Sequence, residues 1–97
     1  MRVTELEFKA HPAGMGGIQA TGKFENGWGY SVIQTEFSYG GPEGKYELAV
    51  LGKNGSLHYR NPVARGDVRG HLNLREVEEL LNEIENFGEE VKWDDEE

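Results

Sequence analysis

Apolar and polar residues alternate along the first two thirds of the chain, and this alternation predicts a series of short β-strands. Residues 3–9 and residues 18–25 both follow it, with Ala20 and Phe24 on the apolar phase of the second segment. Successive side chains of a strand point to opposite faces, so this period indicates strands that bury one face. The polar phase of residues 19–25 predicts a sheet whose other face meets water or a partner.

The middle of the chain adds further strands and two hairpins. Residues 28–37 carry apolar side chains on both phases, which predicts a central strand covered on at least part of both faces. Residues 45–52 form the most apolar run and predict a core strand. Asn26-Gly27 predicts a type I′ hairpin, whose two central residues both need positive φ. Asn54-Gly55 predicts a second hairpin, which leads into a strand at residues 56–60.

The last third of the chain predicts an irregular segment at residues 61–71 and then an amphipathic helix. Asn73 is a good N-cap, and Glu76 three residues later completes a capping box. The apolar residues that recur at helical spacing are Leu74, Val77, Leu80, Leu81, Ile84 and Phe87. Gly88 lies where a C′ glycine ends a helix.

These elements predict an α+β fold: an antiparallel meander sheet of about five strands with one C-terminal helix packed on one face. Ninety-seven residues fit one domain. We assign residues 1–88 to that domain and residues 89–97 to an acidic C-terminal tail. Fourteen glycines agree with many turns between short strands.

Composition bears on the compartment. The chain has no cysteine, which excludes disulfides and cysteine zinc sites and favours a reducing environment. The N-terminal segment has no apolar core of a signal peptide, and no apolar run approaches the roughly 20 residues of a membrane span. We therefore expect a cytoplasmic protein that binds no membrane.

The net charge of −8 is concentrated at one end of the chain. Residues 1–72 hold seven acidic and eight basic residues, whereas residues 73–97 hold eleven acidic and two basic residues. This distribution argues against direct nucleic-acid binding, because phosphate contacts need a positive surface. It favours a partner protein with a basic surface, unless the acidic quarter serves only solubility. The candidate partner-binding residues are Glu76, Glu79, Glu83, Glu90, Asp94 and Asp95.

A possible second surface is formed by large side chains in or beside glycine-rich turns. These residues are Met15, Trp28 and Tyr39. Exposed aromatic side chains are common anchors of protein interfaces. The alternative is that all three cap the hydrophobic core.

No motif predicts an enzyme or a cofactor. The glycine-rich residues 11–17 lie between two predicted strands rather than before a helix, and residues 40–46 lack the spacing of a phosphate-binding loop. No serine stands in a nucleophile elbow. The strand pattern places His58 on an exposed phase. No histidine pair has the spacing of a metal site, and the best remaining candidate for a metal site is the set His58, Asp67 and His71. A basic cluster is formed by Arg60, Arg65 and Arg69 with His58 and His71, and it fits pairing with the helix carboxylates better than phosphate binding.

The segments YELAVLGKNGSLHY, NPV and DVRGHL, followed by the acidic helix, resemble small proteins encoded by tailed phages and prophages. The resemblance covers roughly residues 6–87 and carries no functional motif. It implies a protein of the bacterial host cytoplasm. It also implies an inhibitor of a host protein, of the anti-CRISPR or another anti-defence type.

Three functions follow from these observations. The leading hypothesis is a non-enzymatic binding protein that inhibits a host protein through its acidic surface. One alternative is a small-ligand or nucleotide-binding module that uses the open sheet face and the loop at residues 11–17. The other is a structural phage accessory protein.

Overall fold

The computed structural model describes residues 1–12, 16–59, 61–64, 68–89 and 91. These residues form a five-stranded sheet, one α-helix and two short 3-10 helices. The strands are β1 (Lys9–Ala10), β2 (Ile18–Lys23), β3 (Gly29–Gln34), β4 (Tyr46–Leu51) and β5 (Arg69–Leu72), the α-helix is α1 (Leu74–Glu85), and the 3-10 helices are Val3–Glu5 and Gly41–Glu43. No helix among the described residues has the length and apolar character needed to cross a membrane.

The sheet is an antiparallel meander in the order β1-β2-β3-β4-β5, so every strand pairs with its neighbour along the chain. Helix α1 follows β5 and packs against β3, β4 and β5. This arrangement confirms the predicted α+β fold with one C-terminal helix on a meander sheet.

One face of the sheet forms the hydrophobic core. Val32 lies opposite Leu48, and Tyr30 lies opposite Val50, so all four side chains share a face. All four are buried, as are the inward-facing residues of α1, which are Val77, Leu80, Leu81 and Ile84. Covering this face with the helix removes the apolar phase of the strands from water.

The opposite face of the sheet meets solvent. Thr21 lies opposite Ser31, and Ser31 lies opposite Ala49, and none of these residues is fully buried. No described helix packs there, as the polar phase of β2 predicts. The expectation that residues 28–37 are covered on both faces is wrong at Phe37, which lies beyond the end of β3 and is 76% exposed.

Both hairpins use a three-residue loop with glycine in the left-handed position. Gly27 has φ of 92°, whereas Asn26 has a negative φ, so the predicted type I′ turn is wrong. The N–H of Gly27 donates to the carbonyl of Phe24 at 2.9 Å, as in a turn that ends in a glycine bulge. Gly55 repeats this geometry with φ of 82° and an N–H donated to the carbonyl of Gly52.

The fifth strand lies later in the chain than predicted. Within residues 56–59, only Leu57 pairs with the sheet, through an isolated bridge to Leu51. The chain then turns at Asn61, whose side-chain carbonyl accepts the N–H groups of Val63 and Ala64 at 3.0 and 2.7 Å. This turn buries Val63 and Ala64 in the core, and the edge strand forms only at β5.

The first predicted strand is also shorter than expected. Residues 3–5 form a 3-10 helix that packs against α1, and only Lys9 and Ala10 pair with β2. Leu6 and Phe8 nevertheless pack against the core, as their alternation predicts. Residue 3 is held by α1 rather than by β2, since the N–H of Val3 donates to the carboxylate of Glu78 in α1 at 2.9 Å.

Helix α1 begins as predicted and ends differently. The side chain of Asn73 accepts the N–H of Glu76 at 2.8 Å, and the carboxylate of Glu76 accepts the N–H of Asn73 at 3.0 Å, which confirms the capping box. Gly88 does not have the positive φ of a C′ glycine. The side-chain amide of Asn26 instead donates to the carbonyls of Ile84 and Glu85 at 3.0 and 3.1 Å.

Candidate functional site

The glutamates of α1 divide into two groups because the helix buries one side. Glu78 and Glu85 lie next to the N-terminal segment and form hydrogen bonds with it. Glu78 accepts the N–H of Val3, and Glu85 accepts the amino group of Met1 at 2.8 Å. We call Glu78 and Glu85 the inner pair. Their carboxylates serve the fold, which the sequence did not indicate because it does not show that residues 1–3 reach the helix.

Glu79 and Glu83 form the other group, which we call the outer pair. Both side chains are exposed, and they stand one helical turn apart. Arg75 lies 3.6 Å from Glu79, but both groups are largely in water, where such a pair contributes only about 0–1 kcal/mol. Among the described residues, no basic side chain lies within salt-bridge distance of Glu83. The outer pair therefore keeps its negative charge available to a partner.

Glu76 has a structural role besides its position among the predicted partner-binding residues. Its carboxylate is exposed, but it completes the capping box at the start of α1. A substitution at Glu76 therefore changes both the surface charge and the helix cap. The remaining predicted partner-binding residues, Glu90, Asp94 and Asp95, lie outside the described residues.

The predicted second surface is wrong at Trp28. This side chain is 2% exposed and packs edge to face on His58 and Phe87, with ring centroids 4.5 and 5.2 Å away. Trp28 precedes β3 on the same phase as Tyr30, so it points toward the helix rather than into solvent. Met15 lies outside the described residues.

Tyr39 is exposed, and it has an aromatic neighbour that the strand pattern had placed in the sheet. Tyr39 and Phe37 are 62% and 76% exposed on the same loop. The loop is held by reciprocal hydrogen bonds, because the N–H of Thr35 donates to the hydroxyl of Ser38 and the N–H of Ser38 donates to the hydroxyl of Thr35. The N–H of Tyr39 also donates to Glu47 at 2.7 Å. Its geometry thus presents two aromatic rings to solvent.

His58 is buried rather than exposed, at 1% of its surface. Its Nδ1 lies 3.2 Å from the side-chain nitrogen of Asn61, which also donates to the His58 carbonyl. Since an amide nitrogen is only a donor, Nδ1 accepts and the ring proton is on Nε2. The described residues contain no group of three or more histidine or acidic side chains placed to hold a metal. Asp67, the third member of the metal hypothesis, lies outside them.

Of the three arginines in the basic cluster, Arg69 lies among the described residues. Arg69 donates to the carbonyl of Val63 at 3.3 Å and forms no ion pair with α1 among the described residues. The expected pairing with helix carboxylates is therefore wrong at this position, because the Arg69 guanidinium donates to the Val63 carbonyl instead. Arg60 and Arg65 lie outside the described residues.

Two of the concave regions lined by described residues are candidates for a small-molecule site. A depression of about 180 Å³ on the open face is lined by residues that include Lys9, Gln19 and Thr21. It is smaller than the roughly 300–1,000 Å³ typical of ligand pockets. A cleft of about 530 Å³ lies between the N-terminal segment, the β2–β3 hairpin and the C-terminal end of α1. The open-face location that the sequence favoured for a ligand is thus the smaller of the two.

Comparison with known proteins gives no relative: the chain matches no protein-family model, no curated protein and no solved structure. The resemblance to phage and prophage proteins therefore stays a prediction, together with the host-directed function that it implies.

Proposed function

We propose that this chain is a non-enzymatic binding protein that docks a basic surface of a partner protein on the outer side of α1. The observation that carries this proposal is the division of the helix glutamates. Glu78 and Glu85 are used by the fold, whereas Glu79 and Glu83 extend into solvent, and Arg75 is the one basic residue within α1 itself.

The electrostatics of the outer side favour a cationic partner. Like charges four residues apart on a helix repel each other by about 0.2–0.5 kcal/mol, and a bound cation would remove that repulsion. Complementary surface charge mainly accelerates association and selects the partner, and it is weakened by salt.

The surroundings of the interior polar groups support a binding rather than a catalytic role. His58 and Asn61 are buried and bonded to each other beside Trp28, so their contacts hold the turn at Asn61 in the core. Reacting groups of enzymes instead line a concave site that substrate reaches. The titratable side chains of α1 either hold the N-terminal segment or face open solvent.

The resemblance to phage and prophage proteins extends the proposal. On that basis the partner is a host protein in the bacterial cytoplasm, and binding inhibits it, as anti-CRISPR and other anti-defence proteins do. Direct binding to nucleic acid is not part of the proposal, because the acidic quarter would repel phosphates.

Co-purification with a charge-matched control tests the proposal. A tagged copy is expressed in a bacterial host, and the nuclease-treated lysate is passed over affinity resin at low and high salt. We expect one host protein to bind at low salt and to be lost at high salt. The variant Glu79→Lys/Glu83→Lys should lose it. The control Glu36→Lys/Glu43→Lys changes two exposed glutamates far from α1 in sequence by the same net charge, and it should retain the partner.

One outcome of this experiment would contradict the proposal. If both double variants keep the partner, or both lose it to the same extent, the outer side of α1 is not the docking surface. Glu76 is left unchanged in this experiment because its substitution would also disrupt the capping box.

A further inference from the structure

The cleft beside the N-terminal segment contains a tyrosine hydroxyl without a partner. Tyr30 is 6% exposed, and its side chain lines the cleft. No described residue forms a hydrogen bond with its Oη. The described residues contain no sealed polar side-chain atom that lacks a partner, so this hydroxyl is open to the cleft. Buried tyrosine hydroxyls usually find a hydrogen-bond partner, and this one can donate to a group that enters the cleft.

The strand register builds this position. Gly22 lies directly opposite Tyr30 in the β2–β3 pair. A Cβ atom at Gly22 would overlap the Tyr30 hydroxyl, so the glycine lets the phenol ring cross over β2. The ring of Phe24 stands beside it, with centroids 5.4 Å apart. The two rings give the cleft an aromatic wall with a polar group at one end.

Among the charged groups around the cleft, the carboxylates have hydrogen-bond donors, whereas the basic side chains have no carboxylate partner among the described residues. Glu5 accepts the backbone N–H of Arg2 at 2.7 Å, and Glu85 accepts the amino group of Met1. Both lining carboxylates therefore have donors already. The guanidinium of Arg2 has no carboxylate partner among the described residues, and the ammonium of Lys23 donates only to the carbonyl of Lys53 at 3.2 Å. Positive charge remains available at the rim.

We propose that this cleft binds a small organic anion, an apolar body that carries one carboxylate. The body packs against Phe24 and Tyr30, and the carboxylate accepts a hydrogen bond from the Tyr30 hydroxyl with Arg2 and Lys23 nearby. The cleft volume of about 530 Å³ is in the range of pockets for such molecules. Burial first, and then the charges of Glu5 and Glu7, raise the pKa of Tyr30, so the hydroxyl remains a donor to a higher pH than a free phenol does.

This site is separate from the outer pair of α1. It is also separate from the open sheet face and the loop at residues 11–17, where the sequence suggested a ligand. The proposed partner docking and the cleft can therefore succeed or fail independently, because Glu79 and Glu83 do not line the cleft, and Tyr30 and Arg2 do not lie on α1.

A titration followed by backbone amide NMR shifts tests the cleft with three probes that share one body. The probes are phenylacetate, phenylacetamide and phenethylamine, which differ only in the charged or polar group. We expect phenylacetate to cause saturable shifts at Gly22, Lys23 and Tyr30. The neutral amide should bind about tenfold more weakly, and the amine should cause no saturable shift, since a charge-assisted hydrogen bond is roughly twice as strong as a neutral one.

Two variants and two controls decide which groups act. Tyr30→Phe keeps the ring and removes only the hydroxyl, and it should weaken phenylacetate binding about tenfold. Arg2→Gln should weaken it as well. The controls are Tyr39→Phe, which removes one phenol hydroxyl, and Lys45→Gln, which removes one positive charge. Both positions are exposed and lie outside the cleft lining, so both controls should bind as the parent chain does.

The proposal is overturned by any of three results. These are the absence of saturable shifts with phenylacetate, equal binding of the amine, and parent-like binding by a Tyr30→Phe variant whose amide spectrum shows the parent fold.

Discussion

The inner and outer sides of α1 carry the same residue type in different surroundings. On the inner side, Glu78 and Glu85 accept hydrogen bonds from the N-terminal segment and sit beside the buried row that includes Leu81. On the outer side, Glu79 and Glu83 face solvent. The helix sequence alone shows only a row of glutamates; the neighbours decide which ones hold the fold and which ones are left for a partner.

This division explains why the charge of the whole C-terminal quarter is a poor guide to function. Three of the five described glutamates within α1, namely Glu76, Glu78 and Glu85, have structural hydrogen bonds. Reversing them would damage the fold and mimic a loss of binding. Only substitutions in the outer pair separate the two effects.

The largest expected contrast between the two sides is in stability. Leu81→Ala removes a fully buried side chain from the core and should lower the free energy of unfolding by about 2–5 kcal/mol. Glu83→Ala, two positions away on the outer side, should change it by less than about 0.5 kcal/mol. Urea unfolding followed by circular dichroism measures both. A similar loss in the two variants would show that the outer side is not a free surface.

A smaller effect is expected where the β2–β3 hairpin meets the end of α1. Asn26→Ala removes the amide that donates to the carbonyls of Ile84 and Glu85, and it should lower the free energy of unfolding by about 1–2 kcal/mol. Asn54→Ala is the matched control, because Asn54 has the same place in the second hairpin and accepts the N–H of Ser56 at 3.0 Å, but forms no hydrogen bond with α1 among the described residues. Equal losses in both variants would mean that only the turns matter.

The N-terminal segment can be tested through Tyr30. Burial first, and then the carboxylates of Glu5 and Glu7, raise the pKa of Tyr30 above its ordinary value of 10.0. Below pH 10 the hydroxyl is protonated in both the folded and the unfolded chain. As the pH rises beyond that value, the unfolded chain loses the proton first, so the free energy of unfolding decreases.

Urea midpoints measured from neutral pH to above pH 10 in the parent chain and in Tyr30→Phe test this expectation. The variant should lose less stability than the parent over the alkaline range. Parallel curves for the parent and Tyr30→Phe would refute the packing of the N-terminal segment over this ring.

Local signals in the sequence predicted the elements whose stabilising contacts are local. The capping box at Asn73 and Glu76 lies within four residues, and the alternation in β2 and β4 reports one buried face. Residues 56–60 failed as a strand because the turn at Asn61 and the burial of Val63 redirect the chain. That competition depends on tertiary packing, which an alternating pattern does not report.

The candidate sites show the same limit. Spacing alone places Glu79 and Glu83 on one side of a helix, but the role of Glu78 depends on the backbone of Val3, 75 residues away. Trp28 follows a glycine turn but is buried, because its side chain lies on the same face as that of Tyr30, two residues later. The pairing of Gly22 with Tyr30 depends on the three-residue loop, because the predicted two-residue turn would have placed Lys23 opposite Tyr30.

The most direct test of the division of α1 compares two variants of equal net charge in two measurements. Glu79→Gln/Glu83→Gln changes the outer pair, and Glu78→Gln/Glu85→Gln changes the inner pair. Each is measured for its urea midpoint and for capture of the host partner at low salt. We expect the outer variant to lose the partner at an unchanged midpoint, and the inner variant to have a lower midpoint while it keeps the partner. Parent-like capture by the outer variant, or equal loss of capture in both, would contradict a docking surface on the outer side of α1.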